Sequence, residues 1–97
     1  MPTYITLIKW TEDGIKTVKD VPQRVERGRD AHKSVGGELK AQYFTFGRYD
    51  TIVIAEAPSD EAMAKVALMM GKTGAARAET LKAFTEAEFY EIIKGLP

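Results

Sequence analysis

Cysteine is absent from this 97-residue sequence. That excludes disulfides, thiolate nucleophiles and cysteine-ligated metals. Histidine occurs once, at His32. A metal site built from spaced histidines or cysteines is therefore not expected, and neither is any other metal or cofactor. No sign of charge dominates: 14 Lys and Arg face 14 Asp and Glu. Nucleic-acid binders carry a basic excess, so no nucleic-acid partner is expected. No apolar run approaches the ~20 residues that cross a bilayer. No charged segment followed by a long apolar one marks a signal peptide. The expectation is a soluble, cytoplasmic protein without a membrane partner. There is no linker, low-complexity tract or charge block, and the length fits one domain over residues 1–97.

What is present is a regular alternation of strand and helix patterns. Residues Glu38 to Ala57 are the centre of it. Leu39, Ala41, Tyr43 and Thr45 alternate with Lys40, Gln42, Phe44 and Phe46, which predicts a strand with a two-residue period. Ile52 to Ala55 form an apolar, largely β-branched run suited to a strand covered on both faces. Phe46-Gly47-Arg48-Tyr49-Asp50 joins them as a turn. Gly47 supplies a left-handed backbone conformation there, and Asp50 an acceptor for nearby backbone.

Before this hairpin, Tyr4 to Trp10 predicts a strand with Ile5 and Leu7 on one side and Tyr4, Ile8 and Trp10 on the other. Thr11 caps a short helical turn. Asp20 and Pro22 open a longer helix, with Val21, Val25, Gly28, His32 and Val35 on one face. Arg24, Arg27, Lys33, Glu26 and Asp30 are read as its solvated side. Gly36-Gly37 ends it. After the hairpin, Ser59 with Asp60 and Glu61 begins a helix buried through Ala62, Val66, Met69 and Met70. Ala75 to Phe84 predicts a polar edge strand. Thr85 to Glu88 is a capping box. It opens a last helix with Phe89, Ile92, Ile93 and Leu96 on its apolar side.

The order predicts an α+β domain: a ferredoxin-like βαββαβ antiparallel sheet with a C-terminal helix. Its first and third strands are central. Two helices cover only one sheet face, which leaves apolar side chains on the other. A homodimer, or higher homo-oligomer, with sheets packed face to face is the expected remedy.

Several stretches carry a family resemblance. They are Tyr4-Ile-Thr-Leu-Ile-Lys-Trp10-Thr11, Gly14-Ile15-Lys16, Val18-Lys19-Asp20, Gly36-Gly37, Glu56-Ala57-Pro58 and Thr80 to Thr85. With Gly47-Arg48-Tyr49-Asp50 in a Gly-x-Tyr-Asp form, they resemble the GYD-domain family. The resemblance implies a ferredoxin-like domain in a dimeric α/β-barrel type of assembly, and it carries no activity with it. Proteins related by fold include cofactor-free monooxygenases, isomerases and ligand-sensing modules, but fold does not assign function.

The expected role is a small homo-oligomer binding a small molecule in a sheet–helix cleft. Trp10, His32, Tyr43, Arg48 and Tyr49 are the candidate ligand-binding residues. Phe44 and Phe46 are further aromatic candidates for such a pocket. The alternative is a cofactor-independent monooxygenase- or isomerase-like enzyme acting on an aromatic or carbonyl compound. His32, Tyr49 and Asp50 would be its proton-transfer groups. Each has a plainer use: a packed histidine, a turn tyrosine, and an aspartate paired with Arg48 or Arg77. Pro2 could act as a base only if Met1 were removed, and the strand–helix order departs from that of simple tautomerases. Gly71-Lys72-Thr73 lacks the upstream glycines of a phosphate loop and is read as a helix end.

Overall fold

The computed structural model describes residues 1–97. Strand β1 (Thr3–Trp10) is followed by a short helix α1 (Glu12–Lys16), a 3-10 turn and helix α2 (Val21–Ser34). The hairpin β2 (Glu38–Phe44) and β3 (Thr51–Glu56) leads to α3 (Asp60–Gly71), β4 (Ala76–Ala83) and α4 (Glu86–Lys94). The four strands pair antiparallel in the order β2-β3-β1-β4. The two most apolar strands are thus central, as the sequence predicts.

Local chemistry accounts for the ends of these elements. The Thr11 side chain accepts from the Gly14 N–H, and Ser59 from the Ala62 N–H. Each satisfies a donor that a helix N-terminus leaves unpaired. Thr85 and Glu88 close both halves of the capping box. Gly36, at φ +80°, takes the left-handed turn after α2. Its neighbour Gly37 is needed for space: a Cβ there would lie 2.5 Å from the Glu56 carbonyl oxygen.

The core lies between one sheet face and the helices. Tyr4, Ile8, Val53 and Ala55 rise from the central strands to meet Ala62, Met63 and Val66 of α3. Leu39 and Ala57 complete it. Met63 was not part of the stripe expected from the sequence. Met69 and Met70, which were, are only partly buried beside it.

The period-two reading of β2 needs correction. Between Leu39 and Ala41 the register slips: Leu39 pairs with Ala55 and Ala41 with Ile54. Two steps on β2 match one on β3, a β-bulge at Lys40. Ala41 and Tyr43 therefore leave the face that Leu39 occupies. Gln42 and Phe44 join Leu39 on the helix side.

On the opposite face, Ala41, Ile54, Ile5 and Leu81 form one row across the strands. Tyr43, Ile52, Leu7 and Glu79 form the next. No helix of the chain covers this face substantially. The apolar side of α4 is likewise unpacked: Phe89, Ile92 and Ile93 are all about half exposed, and Leu96 is 67% exposed.

Candidate functional site

Helix α2 runs over the sheet and leaves a cleft beneath it. Its residues Arg24, Gly28 and His32 stand four apart and so share one face. All three border a cavity of about 600 Å³. Ile8, Trp10, Leu39 and Phe44 contribute from the sheet, and Met69 and Met70 from the end of α3. A Cβ added at Gly28 would meet no atom within 4 Å. The missing side chain keeps the middle of the cleft open.

His32 is 1% exposed. Its Nδ1–H donates to the Gly28 carbonyl at 2.6 Å. A carbonyl can only accept, so that bond fixes the proton on Nδ1 and leaves Nε2 as the free position. Nε2 is buried and has no partner in the protein.

Arg24 is held from its far side. Its Nη2 donates to the carbonyls of Gly14 and Thr17, both at 3.0 Å. These belong to the α1 segment, which packs close against the start of β4: a Cβ at Gly14 would overlap the Ala75 carbonyl oxygen at 1.9 Å. The remaining donors, Nε and Nη1, are buried without a partner. Arg24 takes part in no ion pair. A guanidinium held out of water with unused N–H bonds is costly unless something accepts from them.

Arg24 thus belongs to the cleft and not to a solvated side of α2. The sequence signal that could have found it is its four-residue spacing from Gly28 and His32. Asp20, Arg27, Asp30 and Lys72 also reach the cavity edge.

The other candidates lie elsewhere. The Asp50 carboxylate accepts from the backbone N–H of Trp10 at 2.8 Å, and the Asp50 N–H donates to the Ile8 carbonyl at 2.8 Å. It makes no ion pair with Arg48 or Arg77, contrary to the expectation of a surface pair. Asp50 is instead a staple that fixes the hairpin to the end of β1. Gly47, at φ +111°, and the Thr45 hydroxyl, which donates to the Tyr49 carbonyl at 2.6 Å, shape the same turn.

Tyr49 donates its hydroxyl to Glu79, in the outer row of the sheet, at 2.9 Å. That hydrogen bond holds its pKa above the usual tyrosine value. Tyr43 is 61% exposed on the outer face, because of the bulge. Arg48 and Phe46 are exposed in the turn. Of the five candidate ligand residues, the structure brings Trp10 and His32 to the cleft and leaves Tyr43, Arg48 and Tyr49 outside it. His32, Tyr49 and Asp50 do not converge on one place.

A second, smaller pocket lies at the start of α3. There the buried Tyr4 hydroxyl donates to Asp60, and Lys82 pairs with the same carboxylate at 3.2 Å. The bond to Asp60, then burial, pushes the Tyr4 phenol up to about 12. Tyr4 and Lys82 together hold Asp60 below the usual carboxylate range. Nowhere do three acidic, histidine or cysteine side chains gather as a metal site would require. No helix is long and apolar enough to cross a membrane.

Comparison with known proteins agrees with the fold. The chain is 30% identical over 95 residues to a Thermus thermophilus protein named glutamine synthetase and cystathionine beta-lyase binding protein. The match spans 97% of this chain and all of that one. A crystal structure of a protein from the same organism superposes with a TM-score of 0.55 at 23% identity. It covers 88% of this chain and 95% of the other, and so shares its fold. The GYD-domain family model matches residues 4–93. The protein therefore belongs to the GYD-domain family.

Proposed function

We propose that this GYD-domain protein is a homodimeric binding module that holds a small molecule in the cleft under α2. The observation that carries the reading is the cleft itself: an apolar cavity kept open at Gly28, bordered by two side chains with buried, unsatisfied nitrogens. Structural packing alone gives no reason to leave both in that state. Thermal-shift screening of a fragment library tests it. Ligands should stabilise the wild type and not Gly28→Leu, whose side chain would occupy the cleft. Hits that act equally on both proteins would refute the site.

Dimerisation would use the outer sheet face. Ile5, Leu7, Ile52 and Ile54 are the centre of its two rows. Burying an aliphatic side chain of this size contributes about 1.5–3 kcal/mol when complete. All four are already partly buried in the single chain, so each gains only a fraction of that in a dimer, and together they offset part of the cost of association. Light scattering at micromolar concentration should give twice the chain mass, and Leu7→Glu should halve it. A wild type that runs as a clean monomer would overturn the dimer.

The related Thermus protein favours a second reading, in which the module docks on metabolic enzymes. The unpacked stripe of α4 offers a surface for it. Biolayer interferometry against purified glutamine synthetase and cystathionine beta-lyase is the direct assay, and no response with either would remove this reading. The enzymatic alternative draws less support, because its three proton-transfer candidates are dispersed. Asp50 is engaged with backbone, and Tyr49 keeps its proton more tightly than a free tyrosine.

A further inference from the structure

We infer that the cleft takes a compact aromatic acid, with its carboxylate on Arg24 and a hydroxyl or N–H donated to Nε2 of His32. This rests on the cleft being a small-molecule site and goes on to name the ligand class. Arg24 supplies the first half. Its guanidinium is charged at any physiological pH, and two backbone carbonyls already occupy Nη2. Nε and Nη1 remain, buried and unpaired. Asp20 and Asp30 reach the cavity edge, yet neither forms an ion pair with it. An anionic oxygen from a ligand fits donors that the protein leaves unused.

His32 supplies the second half. With Nδ1–H committed to the Gly28 carbonyl, Nε2 is the open ring position, and in a neutral imidazole it is an acceptor. The ligand must bring the proton of that bond. Between the two groups the cleft is apolar, and Trp10, Phe44 and Met69 border it. Aromatic rings and a thioether favour a ring over an open chain. Arg24 and His32 are eight residues apart on α2, about 12 Å between backbone positions. A ring carrying its polar groups at opposite ends suits that separation. Gly28, midway, leaves the ring its space.

Three probes separate the elements of this inference: para-hydroxyphenylacetate, phenylacetate, which lacks the hydroxyl, and para-cresol, which lacks the carboxylate. Trp10 is the only tryptophan and borders the cleft, so its fluorescence reports occupancy. Para-hydroxyphenylacetate should change that signal saturably. Para-cresol should bind about 10- to 100-fold more weakly, the range for a lost hydrogen bond to a charged group. Phenylacetate should be weaker by about tenfold. Arg24→Gln should reduce the acids to the affinity that the same variant shows for para-cresol. His32→Phe should erase only the advantage of the hydroxyl. Arg24 also braces the α1 segment, so Arg24→Lys, which keeps the charge, serves if the glutamine variant is misfolded by circular dichroism. It should retain a preference for the acids over para-cresol.

If para-cresol binds as well as the acid and Gly28→Leu blocks both, the cleft is a ligand site but not an acid site. The ligand class then fails and the binding reading survives. If no probe binds at millimolar concentration, the ligand class fails and the fragment screen still decides the binding reading; if Gly28→Leu leaves all binding unchanged, both are overturned.

Discussion

Alanine in place of glycine should change stability in opposite directions at Gly28 and Gly14, two helical positions of this one chain. Gly28 lies inside α2, where glycine costs about 0.5–1 kcal/mol relative to alanine. An added Cβ there touches nothing within 4 Å. Gly28→Ala should therefore stabilise by about that amount and raise Tm by about 2–8 °C. Gly14 lies in α1, and the same propensity gain applies in part. A Cβ there would sit 1.9 Å from the Ala75 carbonyl oxygen and 3.2 Å from Nη1 of Arg24. That oxygen is backbone and accepts from the Thr11 N–H at 3.1 Å, so it cannot swing away alone. Overpacking of this kind costs about 1–3 kcal/mol, more than the propensity gain. Gly14→Ala should lower Tm. Differential scanning calorimetry of both variants and wild type at one protein concentration decides the matter, because any self-association would make Tm concentration-dependent. Gly28→Ala that melts below wild type would show that the cleft is not open where the structure has it. Gly14→Ala that melts above wild type would refute the close seat of α1 on the start of β4.

Tyr4→Phe should change the pH dependence of stability at both ends. The folded protein holds the Tyr4 proton more tightly than the unfolded chain, from 10 up to about 12. Stability therefore falls as pH rises through that window, and the variant should fall less steeply; Tyr49 and Tyr90, raised by Glu79 and Glu86, keep part of the slope. Asp60 has the opposite sign: its lowered pKa adds stability that is lost as pH falls through the carboxylate range, and losing Tyr4 should reduce that acid limb too. Urea melts across pH measure both, and an unchanged alkaline slope would count against the Tyr4–Asp60 bond. Asp50→Ala should cost about 1.5–3 kcal/mol by removing the acceptor of the Trp10 N–H, with Asp50→Asn closer to wild type because it keeps an acceptor oxygen. Equal melting of the two variants would argue that the staple is not the bond seen here. Thr85→Ala should weaken α4 by about 1 kcal/mol through loss of its capping box. Hydrogen exchange should quicken in α4 alone while global Tm holds, since the helix packs little on the rest; a global loss of several degrees would mean that α4 is integral to the core.

Much of the architecture was readable because its causes are local. Helix entries at Thr11, Ser59 and Thr85 follow from side chains that bond to backbone a few residues away. The central strands could be recognised from their apolar content, since one face supplies the core and the other carries the aliphatic rows Ile5 with Ile54 and Leu7 with Ile52. Tyr43 shows where such reading fails. Strict alternation is broken by one unpaired residue at Lys40, and the pairing of β2 with β3, not the sequence of β2, decides the slip. Arg24 shows a second failure. A long cationic side chain is compatible with water or with a braced position over a cleft, and only the carbonyls of Gly14 and Thr17, 10 and 7 residues away, choose between them. His32 was legible as a residue on an apolar face; that its second nitrogen is buried without a partner was not.

The sequence by itself determined the secondary structure, the βαββαβ order and the family, because capping, period and motif act over short spans of chain. The folded chain alone decided what meets beneath α2. There the backbone of α1 turns the Arg24 guanidinium, a carbonyl of the helix fixes the His32 proton, and sheet register removes Tyr43. Those are contacts between groups made neighbours by folding, and no pattern along the chain encodes their distances.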